Sequence, residues 1–354
     1  MLRIYTGNGK QDVKDSRRDF LQIGSLMLGS LTLPQLLHAR AENVNFVKDK
    51  SVVLLYLSGG ASQIETFDPK MAAPAEIRSV NGEVSTSLPG VTFGATLQKL
   101  ARRARQMSVI RSHNHSVGAH EQAHVHVLTG GTDPSGGGKT GFGMGALYAR
   151  LRGANHPETG IPTNCLLTAP EIDGQYRKEL ARVRKGSRPL ELGASYAPFE
   201  PGGNSSALNN MKLTLQAQRF DDRRSLLTSL DSWKRRVDGL RQVQGVDRFN
   251  QQAVDLLTGG AVDAIDLTRE DPAVLAKYDT SEMRIGFKQF RPSMLGHKML
   301  MARRLCEAGA GFVTVHSAGW DMHADGNNPG MQQGMAMLGT TMDHAVSALS
   351  LIHI

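Results

Sequence analysis

The chain is 354 residues long, with 40% hydrophobic and 21% charged residues, which is enough to bury a large core and typical of a globular rather than a fibrous or disordered protein. Of its net charge of +8, residues 1–41 supply +3 through six basic against three acidic residues. The +5 that remains is modest for a nucleic-acid-binding chain of this size, so nucleic acid is excluded as a partner and Arg102-Arg103-Ala104-Arg105 reads as the solvated face of a helix.

Ser16-Arg17-Arg18-Asp19-Phe20-Leu21 precedes a moderately apolar stretch, Ile23–Leu33, and then Ala39-Arg40-Ala41. Twin arginines, a short apolar region and a small-x-small cleavage site predict a twin-arginine signal peptide over residues 1–41 and a mature start near Glu42. The twin-arginine export machinery is then a partner, and the location is periplasmic or extracytoplasmic. Gly24, Ser25, Gly29, Ser30 and Thr32 make the apolar stretch too polar for a stable span, and no membrane span is expected after signal removal.

Ser51–Leu57 is a nearly continuous apolar run ended by Ser58-Gly59-Gly60, as expected of a central parallel strand opening into a tight loop. That loop carries Ser62, Gln63, Glu65 and Asp68. Ala95–Gln106 spaces Leu97, Leu100, Ala101 and Ala104 like a helix, and Met107–Arg111 reads as a second strand completing a βαβ unit. This strand empties into Ser112–Gly130, which holds five of the twelve histidines, His113, His115, His120, His124 and His126. On a helix His120 and His124 share a face at i, i+4, the pairing used by helical zinc sites.

Thr132–Thr140 (TDPSGGGKT) lacks the first glycine of a phosphate-binding loop, Asp133 standing in its place, and reads as a flexible glycine-rich loop. Phe142–Arg152 is a short helix by pattern and Ile161–Thr168 a third strand. Turn residues dominate Asp173–Asn210, predicting a long insertion over the site. Helical patterns follow over Asp221–Leu257, Ala261–Leu267 and Pro272–Tyr278, so residues 173–290 form an insertion and helical subdomain. Pro292–Ala308 is a helix with Gly309 as its cap, leading into Phe312–His316. Met331–Leu349 is amphipathic. Cys165 and Cys306 have a disulfide open to them in an exported protein, although Cys306 lies in an apolar pattern that favours a buried thiol.

Just beyond Phe312–His316 comes Gly319-Trp320-Asp321-Met322-His323. In parallel sheets the working groups sit in loops past the carboxyl ends of strands. Asp321 and His323 are therefore the first candidates to hold a divalent metal, with Glu65, Asp68 and His120 behind them.

The leader, VVLLYLSGGASQIETFDPK, HVLTGG, LGASYAPF, DDRRSLL and GAGFVTVHSAGWDMHAD together resemble domain-of-unknown-function family fifteen-oh-one, exported, planctomycete-type proteins often called sulfatase-like. The resemblance implies an alkaline-phosphatase-like α/β fold, with a mostly parallel central sheet and helices on both faces. It also implies a divalent metal, zinc, calcium or manganese, acting on phosphate or sulfate esters of a small molecule or polysaccharide. Where the family has His then Asp in the first loop, this chain has Gln63 and Glu65, and His120 aligns with the sulfatase nucleophile. The family continues past the equivalent of Leu349, so residues 42–354 are expected to be a C-terminally truncated domain lacking part of its site, which leaves open whether this form is active. Two alternatives remain: a non-catalytic cell-envelope binding or assembly protein on the same fold, and histidines that handle metal without ester chemistry.

Overall fold

Strand β1 (Val52–Leu57) lies parallel to β7 (Phe312–Ser317), with Val52 opposite Phe312 and Tyr56 opposite His316, and β7 lies parallel to β4 (Asn164–Leu167). The resulting order, β1-β7-β4, puts the strand closest to the C-terminus in the middle. This is a computed structural model describing residues 50–168, 174–201, 219, 222, 223, 225, 261–326 and 328–353. The expected signal peptide and most of the helical pattern over 221–257 lie outside the described residues. Contacts divide the chain into two units, Met1–Lys50 and Ser51–Ile354, and every described strand and helix belongs to the second.

Side chains alternate across the sheet with the period of two that strand geometry imposes. Val53, Leu55, Leu57, Cys165, Leu167, Val313 and Val315 join the main core. On that side lie α7 (Leu295–Glu307) and the C-terminal helix, built from α8 (Met331–Gly334), a π-helical turn (Met335–Gly339) and α9 (Thr340–His353). Leu54 and Tyr56 pack on the other side with Leu128, Leu166 and Val183. Helices α2 (His120–Leu128), α3 (Met144–Arg152) and α4 (Arg177–Gly186) supply that layer. Hydrophobic burial on both faces explains why β1, β4 and β7 are near-continuous apolar runs. The architecture is mixed α/β with a parallel three-stranded sheet between helices.

Helix α7 ends in a Schellman motif. Gly309 takes φ +118° after the cap residue Ala308, Gly309 N donates to Cys306 O at 3.1 Å, and Ala310 N donates to Leu305 O at 2.8 Å. Short helices α5 (Ala261–Ile265) and α6 (Pro272–Tyr278) pack into the same core as α7, so this part of the expected subdomain is continuous with the main body. Two small antiparallel hairpins, β2 (Glu83–Ser85) with β3 (Thr92–Gly94) and β5 (Arg284–Ile285) with β6 (Arg291–Pro292), complete the described strands.

Three expectations need correction. Met107–Arg111 is irregular, with Val109 38% and Ile110 78% exposed, so no βαβ unit joins it to β1. Arg111 is instead tied by its guanidinium to Phe67 O at 2.6 Å and Asp68 at 3.4 Å. Ala95–Gln106 divides into α1 (Gln98–Ala101), whose early N–H groups at Lys99 and Leu100 donate to Asp343, and a 3₁₀ turn (Ala104–Gln106), because the backbone bends at Arg103. The turn-rich stretch 173–210 contains α4, which packs against α2. Cys165 and Cys306 are free thiols, both raised above the ordinary range by burial, Cys306 to about 11. Among the described residues no helix is long and apolar enough to cross a membrane.

Candidate functional site

The carboxyl ends of β1 and β7 meet where Ser58 N donates to Ser317 O at 2.9 Å and Trp320 N donates back to Ser58 O at 3.0 Å. This exchange lays the Gly319–Asp321 loop directly on the turn after β1. The close approach requires glycine at position 59, where φ is +105° and a Cβ would stand 2.5 Å from Asp321 N. The indole N–H of buried Trp320 donates to Ser317 Oγ at 3.0 Å and fixes the loop from below.

An inner layer of polar side chains lies between the sheet and helices α2 and α4. Ser58 Oγ is 2.8 Å from His316 Nε2 and also donates to Glu179 Oε2, which accepts the Gly319 N–H at 3.2 Å. When Glu179 is ionised the one hydroxyl proton of Ser58 goes to it, and His316 Nε2 is then the donor toward Ser58 Oγ. That tautomer leaves His316 Nδ1 as a bare acceptor, and it has no partner among the described residues. Burial, then the Lys298 charge, depresses His316 to about 3 and keeps it neutral, while Lys298 Nζ donates to its carbonyl at 2.6 Å. Burial raises Glu179 to about 7, against the pull of its two hydrogen bonds. Beside this group Tyr56 OH lies 2.8 Å from His124 Nδ1; burial lowers His124 to about 4 and raises the Tyr56 phenol.

The outer layer opens to solvent. Asp321 Oδ2 lies 3.1 Å from His323 Nε2 and 3.4 Å from His120 Nε2, and His323 Nε2 is 3.8 Å from Asp325 Oδ2. Asp321 is 24% exposed, while the imidazoles of His120 and His323 are 48% and 55% exposed. His120 begins α2, and His124 follows one turn later with ring centroids 6.3 Å apart. One points to the rim and the other to Tyr56. His115 lies instead near His113 and His126, with centroids 6.4 and 5.6 Å away.

The structure therefore brings together Asp321, His323 and His120 from the expected set and leaves Glu65 and Asp68 elsewhere. Glu65 is buried, and its carboxylate accepts from Ser79 Oγ at 2.8 Å, Val80 N at 2.8 Å and Asn81 Nδ2 at 2.6 Å. A carboxylate so saturated fastens two loops and has no lone pair directed at a cation. Asp68 is paired with Lys70 at 2.7 Å and with Arg111. Asp133, where the phosphate-loop glycine is lacking, anchors its own turn, accepting from Gly138 N at 2.6 Å and Ser135 Oγ at 2.8 Å.

Glu179 and His316 are the functional candidates that sequence reasoning missed. A signal for Glu179 existed: Tyr176, Glu179, Val183 and Gly186 are buried at helical spacing within a strongly charged segment. His316 and Ser58 share a sheet face with Tyr56, which the strand period predicts once the registers are known.

Among the described residues no group of three or more His, Cys, Asp or Glu side chains closes around a single point as a metal cage. In kind the rim donors fit a divalent ion: two imidazole nitrogens face one carboxylate oxygen. The two nitrogens lie 3.4 and 3.1 Å from that oxygen, near the ~3.4 Å between neighbouring ligands of a tetrahedral ion with bonds near 2.1 Å. No curated protein and no solved structure matches the chain. A family model described as a protein of unknown function (DUF1501) matches residues 49–351, and the chain belongs to that family.

Proposed function

We propose that this protein is a metal-dependent hydrolase of phosphate or sulfate esters, on an alkaline-phosphatase-like variant of the α/β fold and exported by the twin-arginine route. The observation that carries this reading is the convergence of His120, from α2, and His323, from the β7 loop, on Asp321 Oδ2 at the carboxyl end of a parallel sheet. Asp321, His120 and His323 would hold the ion. When bound, a zinc, manganese or calcium ion supplies Lewis-acid polarisation of an ester oxygen.

The chain's own residues do the remaining work. Gly59 lets the Asp321 loop sit against β1, and Trp320 fixes its height. Glu179 holds the Gly319 N–H and the Ser58 hydroxyl, so the floor below the rim is hydrogen-bonded before any substrate arrives. His316 and His124 stay neutral at pH 7 and add no positive charge beneath the ion. Half-exposed imidazoles leave the rim open to a bulky ester.

The test is elemental analysis of the protein together with turnover of aryl phosphate and aryl sulfate esters. Asp321→Ala is expected to lose the bound metal and to lower turnover by at least about a hundredfold, as loss of a main electrostatic contributor does. Full metal content and unchanged turnover in that variant would refute the reading.

A further inference from the structure

Away from the Asp321 rim, three elements bring cations to one concavity of about 640 Å³. Lys99 lies on α1, Arg102, Arg103 and Arg105 follow in the bend and 3₁₀ turn, Lys277 comes from α6, and His344 from α9. No carboxylate lines this groove, and among the described residues none of its lysines or arginines forms an ion pair. The nearby Asp343 spends its carboxylate on the Lys99 and Leu100 N–H groups.

A straight helix would spread residues 102, 103 and 105 around its circumference at 100° per residue and send at least one arginine elsewhere. The bend at Arg103, with φ −104° and ψ 9°, is what turns all three into the same hollow. Lys99 Nζ lies within hydrogen-bonding reach of His344 Nδ1, which sets two of the groove's basic side chains side by side. Burial, then the Lys99 charge, lowers His344 accordingly. A hollow of this volume is about 11 Å across, close to the ~8 Å screening length at physiological salt, so the cations repel one another until an anion enters.

We propose that this groove binds a small oligoanion carrying two or more phosphate or sulfate groups. Arginine forks match the tetrahedral oxyanions of both and bind them bidentately. The volume falls in the roughly 300–1,000 Å³ of small-molecule sites. A nucleic-acid duplex would need a longer stripe of cations than one hollow provides. The groove shares no residue with the Asp321 rim and stands independently of the ester-hydrolase reading.

The experiment is calorimetric titration of the whole protein with tripolyphosphate and with sucrose octasulfate, using orthophosphate and a 20-base-pair DNA duplex as comparators. Saturable one-to-one binding of either oligoanion is expected, at least about tenfold tighter than orthophosphate and weakening as salt is raised. The double variant Arg102→Ala/Arg105→Ala should weaken it by more than about tenfold, because each lost guanidinium removes charge-assisted hydrogen bonds. Both arginines are exposed, and Lys277→Ala provides a second variant on a separate element. Asp321→Ala should bind as the parent does. The proposal is overturned if neither oligoanion binds or if both groove variants bind undiminished. It is equally overturned if Asp321→Ala abolishes binding, which places the anion at the rim, or if the duplex binds more tightly than both oligoanions.

Discussion

Replacing Glu179 by glutamine tests the inner layer quantitatively. Burial holds this carboxyl at about 7 instead of its ordinary 4.5, which corresponds to roughly 3 kcal/mol of disfavoured ionisation. The unfolded chain ionises Glu179 near 4.5 and the folded chain near 7, so the folded state binds more protons across that window. Stability therefore falls as pH rises from about 4.5 to about 7 and is level above it. Glutamine stays neutral at every pH, and its carbonyl can accept the Ser58 hydroxyl and the Gly319 N–H as Glu179 does. The variant should gain on the parent across the window and exceed it by up to about 3 kcal/mol at pH 8. His124 and His316 push the opposite way: their folded values, about 4 and about 3, lie below the unfolded 6.5, so their stabilisation is lost as pH falls. They titrate in both proteins and cancel in the difference. Equilibrium urea unfolding of chelator-treated protein, followed by the fluorescence of buried Trp320 at several pH values, measures it. A difference that does not change with pH, or that favours the parent more as pH rises, would refute the buried-carboxyl account.

The other expectations are simpler to check. Gly59→Ala combines φ +105° with a Cβ driven onto Asp321 N, and should cost more than about 1 kcal/mol in thermal unfolding while lowering metal content. Glu65→Ala strands the donors of Ser79, Val80 and Asn81; a loss of about 3 kcal/mol with unchanged metal stoichiometry separates a loop fastener from a ligand. His120→Ala and His323→Ala should each weaken metal retention in equilibrium dialysis, whereas His124→Ala should lower stability and leave retention nearly intact.

Much of the architecture was legible because burial on two faces leaves a plain mark. β1, β4, β7, α7 and the C-terminal helix all announce themselves as apolar runs or 3.6-residue stripes. Met107–Arg111 bears the same local mark and is not a strand, since an apolar run needs a neighbouring ladder as well as composition. Arg111 is held by Phe67 O and Asp68 instead. Helix α4 was hidden by its own polarity: Arg177, Lys178, Arg182, Arg184 and Lys185 crowd one segment, and the buried stripe between them includes a carboxylate. Glu65 misled for the converse reason. An acidic residue after a strand suits a cation and equally suits a cluster of backbone and amide donors, and only the fold distinguishes them. Asp321 and His323 were readable because their place in the loop is set by the end of β7, whereas the company of His120 depended on where α2 begins.

Helix α2 has one consequence for motion. His120 stands in solvent beside Asp321 and His124 sits one turn deeper against Tyr56, joined by a rod that cannot bend within four residues. The two imidazoles, one wet and one dry, hang from a single turn of helix. Should an ion seat beside Asp321, slower hydrogen exchange along α2 is the expected outcome, registering a guest that never touches those amides.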